Sequence, residues 1–187
     1  MRSILTIWQF VRHRKIIVAG GICLSGVLLL LAWKNYEKEH WLSRVPAELQ
    51  VQRVLCVQTD NWGFGPGGNE TGVVLDELPE ELAKQIQHQG IDSLQNLTRE
   101  PKWKQTPIQD KNEWMQDEGA LPQTSPVQVP RLDNYLNQYG FSIQVDPAVL
   151  RDIDAAISQP GNFYVYLRTG VLIVLPAQPR VAFVYVS

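Results

Sequence analysis

The residues best placed to do chemistry in this chain cluster between positions 60 and 72. Gly63, Gly65 and Gly68 satisfy the spacing G-x-G-x-x-G within Asn61-Trp62-Gly63-Phe64-Gly65-Pro66-Gly67-Gly68-Asn69-Glu70-Thr71-Gly72. A dinucleotide site needs such a turn to open a helix, whose N-terminus then meets the pyrophosphate. Here the glycines lead into Val73-Val74-Leu75, which reads as a strand, and no Gly-Lys-Ser/Thr follows. Nucleotide binding is therefore not expected. Two carboxylates, Asp60 and Glu70, flank the segment and could divide acid and base roles in a hydrolase. The other reading is a shaped loop that presents side chains to a partner. Aromatic anchors beside polar neighbours suit an interface. The candidate binding residues are Trp62, Phe64, Gly65, Gly67, Gly68, Asn69, Glu70 and Thr71. A structural role stands beside this one: glycines supply the turn and the aromatics pin it to a core.

Other catalytic constellations are weak. There is no G-x-S-x-G elbow and no S-x-x-K. Past the apolar segment the only histidines are His40 and His88, and the only cysteine is Cys56. A Cys56–His88 pair requires the fold to bring them together. No C-x-x-C or H-E-x-x-H is present, and Asp152 and Asp154 are two apart on an expected helix, so they diverge. No catalytic residue, metal ligand or cofactor is assigned. Trp103 and Trp114 lie in polar sequence, where each either covers the core edge or serves as a partner-binding flap. Tyr164, Tyr166 and Arg168 alternate along one side of a strand.

The elements that would position these residues begin with an anchor. Residues 16–33, IIVAGGICLSGVLLLLAW, carry no charge and follow Arg12-His13-Arg14-Lys15. At helical rise they span about 27 Å, close to the hydrocarbon core of about 30 Å. The run shows no polar face, and Trp33 and Tyr36 sit where an interfacial aromatic belt falls. It exceeds a signal-peptide core and ends in Leu31-Ala32-Trp33-Lys34, without a small-residue cleavage site. A single transmembrane helix is expected, with the basic cluster inside and the C-terminal domain outside. In a bacterium that means the inner membrane and a periplasmic domain. Residues 1–15 are the cytoplasmic tail, with Ile4, Leu5, Trp8 and Val11 on one interfacial stripe. Gly21 and Ser25 form a small-xxx-small pair that could support a homodimer through the membrane helix.

Residues 34–50 read as a stalk ended by Pro46, and residues 51–187 as one α+β domain. Of 17 basic residues four precede the anchor, and all 19 acidic residues follow it, leaving the rest of the chain at −6. That balance argues against nucleic acid as a partner. The two cysteines, Cys23 and Cys56, cannot form a disulfide framework.

Within the domain, residues 51–58 and 73–78 read as strands joined across the glycine loop. Pro79 starts a helix that Gly90 stops. Residues 98–129 form an irregular, proline-rich insertion. A short helix over 131–139 follows, then one opened by Asp146-Pro147 and closed by Pro160-Gly161. Residues 162–167, 171–175 and 180–186 are β-rich, with tight turns between them. The continuous run Val-Leu-Ile-Val-Leu suggests a strand covered on both faces. The expected fold is α+β: an antiparallel sheet of about five strands, with helices packed on one face.

The functional expectation is a membrane-anchored binding or accessory protein of the bacterial envelope, engaging a protein partner through loop 61–72. The alternative is a tethered envelope hydrolase using Asp60 and Glu70.

Overall fold

The computed structural model describes residues 21, 24–62, 69–98, 102–109, 114, 130–140 and 143–186. The chain forms two units, residues 1–40 and 41–187. In the first, residues 24–40 are helical, and every described residue from 24 to 33 is exposed. Leu24, Leu28, Leu29 and Leu30 are each more than half exposed. Ser25 Oγ donates to the Gly21 carbonyl at 2.9 Å. Among the described residues, no helix is long and apolar enough to cross a membrane. Residues 16–20, 22 and 23 of the apolar run lie outside the described residues, as does the stripe of Ile4, Leu5, Trp8 and Val11.

The second unit is an α+β domain built on a six-stranded antiparallel sheet. A 3-10 turn (Ala47–Leu49) leads into β1 (Val54–Trp62) and β2 (Asn69–Glu77), then α1 (Glu80–Gln89) and α2 (Ile91–Leu97). A two-residue strand, β3 (Lys104–Gln105), precedes α3 (Leu132–Asn137) and α4 (Pro147–Ser158). The last three strands are β4 (Phe163–Leu167), β5 (Gly170–Leu175) and β6 (Arg180–Val186). Their spatial order is β1-β2-β6-β5-β4-β3.

The sheet is covered on both faces, which corrects the expectation of helices on one face only. Side chains alternate along a strand, and this alternation divides the core in two. Val73, Leu75, Val171, Ile173, Ala182 and Val184 meet α3 and α4 through Leu132, Leu136, Ile153 and Ile157. Val74, Leu172, Val174, Val181 and Phe183 meet the 3-10 turn, α1 and α2 through Leu49, Leu82, Ile86 and Leu94. An inner strand in such a sandwich has no polar face, which is why β5 is buried along its whole length. Each fully buried aliphatic side chain contributes about 1.5–3 kcal/mol, so each layer is substantial in itself.

The helix ends follow their signals. Asp146 caps α4 by accepting the Ala148 N–H at 2.7 Å, with Pro147 at the first helical position. Gly90 ends α1 at φ +69°. Asp154 on α4 accepts the Leu132 N–H at 2.7 Å, so one helix satisfies the start of another. Burial raises the Asp154 carboxyl pKa, and this hydrogen bond opposes the shift.

The insertion is more ordered than a loop where it is described. Trp103 is buried against the α1 face and donates from Nε1 to Thr98 Oγ1 at 2.7 Å. Five residues on, Ile108 is buried in the opposite layer. The chain thus crosses the sheet at its β4 edge, adding β3 as a sixth strand beyond the five expected. Trp114 is also buried, stacked on Tyr135 at 4.5 Å and donating to the Tyr166 hydroxyl at 2.8 Å. Both tryptophans close the core, and Trp114 covers the tyrosine-rich side of β4.

Candidate functional site

The β1–β2 hairpin carries the sequence-predicted binding residues. Its strands run further toward the turn than the sequence implies, because pairing continues through Asp60↔Thr71, Asn61↔Glu70 and Trp62↔Asn69. Phe64, Gly65, Gly67 and Gly68 lie outside the described residues. Asn69 is exposed at the strand start. Glu70 and Thr71 are committed to the fold. Thr71 is fully buried, and its hydroxyl bonds the Leu136 carbonyl at 2.9 Å and the Tyr185 carbonyl at 3.3 Å. Glu70 accepts the Tyr185 phenol at 2.7 Å on the other face of the sheet.

Asp60 lies opposite Thr71 and therefore shares the α3 side, whereas Glu70 shares the Tyr185 side. Successive strand residues point to opposite faces, so the sheet separates the two carboxylates. They do not converge on one substrate. A groove beside Asp60 is lined by Val57, Gln58, Thr59, Ile143 and Gln144 and holds no second carboxylate.

Tyr185 is the hub under the hairpin. Gly72 on β2 and Gly170 on β5 are its cross-strand partners. A Cβ on Gly72 would come within 2.9 Å of the Tyr185 hydroxyl, and one on Gly170 within 2.8 Å of Tyr185 Cα. Glycine on both flanks makes room for the tyrosine. Phe183 stacks on its ring at 5.3 Å, and the Arg44 guanidinium lies 5.1 Å from its centroid. Arg44 also lies 5.8 Å from the Trp41 ring. A line of contacts thus runs from Trp41 through Arg44 and Tyr185 to Glu70 near the start of β2. Burial, and then the Glu70 carboxylate, hold the Tyr185 phenol well above its ordinary pKa.

The remaining candidates separate. Cys56 packs in the α3/α4 layer, while α1, which carries His88, covers the other face. The sheet lies between them, so no thiolate–imidazole pair forms. Burial, with Asp146 nearby, pushes the Cys56 thiol up, which opposes nucleophilic use. Asp152 pairs with Arg180 at 3.1 Å and Asp154 caps α3, so both have structural partners. Among the described residues, no group of three His, Cys, Asp or Glu could hold a metal ion. A second groove, about 360 Å³, is lined by Gln52, Arg53, Glu77, Pro79, Gln178 and Arg180, among other residues, and its lining includes no Ser, Cys or His.

The chain matches no family model, no curated protein and no solved structure.

One titratable residue escaped the sequence reading. Asp76 on β2 is fully buried, and neither carboxyl oxygen has a hydrogen-bond partner among the described residues. Its cross-strand neighbours are Val54 and Val181, both packed in the α1 layer. Desolvation alone pushes its pKa up to about 7. The signal was present in Val73-Val74-Leu75-Asp76-Glu77. A strand covered on both faces has no solvent side on which to place Asp76.

Proposed function

We propose that this chain is a single-pass membrane-anchored binding protein of the bacterial envelope. The N-terminus is cytoplasmic, and the α+β domain is an accessory module that engages an envelope protein through loop 61–72. The observation that carries the reading is the helical stretch 24–33, uncharged and exposed throughout, in a chain whose other unit buries two complete apolar layers. Monomeric soluble proteins rarely leave so much contiguous apolar surface in water. A lipid environment removes that cost, and the basic cluster at 12–15 favours the N-terminus inside. The loop suits partner binding because Thr71, Glu70 and Tyr185 brace its base, while Asn69 remains exposed.

The test is a crosslinked pull-down from intact membranes, comparing wild type with a Trp62→Ala/Asn69→Ala variant. Glu70 is left in place because it braces Tyr185. Capture of a specific protein by wild type, and its loss from an equally abundant, equally stable variant, is the expected result. Unchanged capture would remove the loop as the site. Recovery of the protein in the soluble fraction would remove the anchor.

A further inference from the structure

The two edges of the sheet are built differently. On one side the chain wraps the edge, Trp103 packs against one face and Ile108 against the other, and the terminal strand β3 is only two residues long. On the other side β1 is nine residues long, and among the described residues no strand pairs with its outer side. Edge strands are usually blunted by lysine, proline, brevity or a β-bulge. Residues 54–59, Val-Leu-Cys-Val-Gln-Thr, carry no lysine, proline or charge, and their one bulge lies at the start of the strand, between Val54 and Cys56. Leu55 and Val57 are exposed at 38% and 36%.

The charges that bracket this stretch are opposite in sign and share a face. Arg53 bonds Glu77 at 2.9 Å, and Asp60 lies opposite Thr71. Glu77 and Thr71 both project from the α3/α4 side of β2, two-residue steps from Val73 and Leu75. Arg53 and Asp60 are seven positions apart, an interval that would normally put them on opposite faces. The bulge between Val54 and Cys56, which leaves Leu55 as the extra residue, restores them to one.

We propose that β1 is a self-association edge. Two copies pair antiparallel through it about a two-fold axis perpendicular to the sheet, with Val57 opposite Val57 of the second copy. Such an axis requires opposing residues to share a face, and this register satisfies the requirement throughout. Cys56 meets Gln58 and Arg53 meets Asp60 on one face, while Val54 meets Thr59 on the other. The Arg53–Asp60 pair forms twice, once at each end, so the edge is complementary to itself although the domain carries excess negative charge. The groove lined by Val57 to Asp60, Ile143 and Gln144 gives the incoming strand's side chains a place to seat. Pairing at this edge is independent of loop 61–72 and of association through the membrane helix.

The experiment uses the full chain in lipid nanodiscs with Cys23 and Cys56 replaced by alanine. Val57→Cys should form a disulfide-linked dimer under mild oxidation several-fold faster than Thr59→Cys, whose symmetry mate is Val54 and not itself. Arg53→Glu and Asp60→Arg should each slow the Val57→Cys crosslink, and the double charge swap should restore it. Restoration also shows that the single variants fold. Equal crosslinking at positions 57 and 59, no crosslink at 57, or a double swap no better than the singles would overturn the proposal. So would a dimer that survives Val57→Lys and disappears with Gly21→Ile/Ser25→Ile, because association would then lie in the membrane helix.

Discussion

Replacing Asp76 with valine should make the protein more stable, and more so as pH rises. The wild-type carboxyl titrates near pH 7 in the folded domain, against 3.8 for the ordinary group. Below 3.8 it is protonated in both states and pH has no hold on stability through this group. Between 3.8 and about 7 the folded state keeps a proton that the unfolded state has released, so stability falls as pH rises. Above about 7 the loss is complete and amounts to as much as about 4 kcal/mol. Valine has nearly the shape of aspartate, is β-branched, and would sit between Val54 and Val181. It would also remove about 1–3 kcal/mol of cost from burying even the neutral acid without a partner. The assay is guanidinium unfolding of the full chain in detergent, followed by tryptophan fluorescence, for wild type and Asp76→Val from pH 4 to pH 8. The variant should be the more stable at both ends, with a gap that widens by up to about 4 kcal/mol toward pH 8. Asp154, also raised by burial, and Asp133, lowered by its hydrogen bond with Arg131, cancel in the difference. A gap that stays constant with pH, or a less stable variant, refutes the account of Asp76 as an uncompensated buried acid.

Two further substitutions test the packing under the site. Trp114→Ala should cost about 3–5 kcal/mol, the range for truncating a fully buried tryptophan. Trp114→Phe should keep the stack on Tyr135, lose the bond to Tyr166 and cost about 1 kcal/mol more than an ideal repacking. Equal costs in thermal unfolding would show that the indole N–H matters more than the ring. Gly170→Ala should destabilise by about 3 kcal/mol or more, because its Cβ would collide with the Val184 carbonyl oxygen. A tolerated alanine there would contradict the close approach of β5 to Tyr185.

The parts of the fold that were legible are those whose signals are local. Asp146-Pro147 announces a cap, Gly90 a stop, and the runs at 163–167, 170–175 and 180–186 are dense enough in β-branched and aromatic residues to stand as strands. The short helix α2 and the strand β3 were not legible, since Ile-Asp-Ser-Leu-Gln-Asn-Leu carries no side-chain cap and two residues have no period. The pairing of Glu70 with Tyr185 is 115 positions apart and depends on register, which no local pattern reports. The same holds for the sheet between Asp60 and Glu70. Their separation follows from alternation only once β1 and β2 are known to pair through residue 62. Asp76 was within reach. Val171 to Leu175 already implied two covered faces, and the same inference applied to the strand beside it leaves a carboxyl with nowhere to go.

Coverage on both faces also decides where this domain can meet anything else. The two apolar layers occupy the sheet, and the insertion closes its β4 edge with β3 and the flanking Trp103 and Ile108. Among the described residues, the long edge that no strand pairs is that of β1, which shares its hairpin with β2. That hairpin is braced by Thr71 against α3 on one face and by Glu70 against Tyr185 on the other. Through Arg44 and Trp41 the same tyrosine reaches the segment that enters the domain from its N-terminal side. A Cβ added at Gly72 would come within 2.9 Å of the Tyr185 hydroxyl, so the β2–β6 register over this ring depends on glycine at that position. The base of the hairpin and the contacts of Arg44 are consequently coupled through one ring.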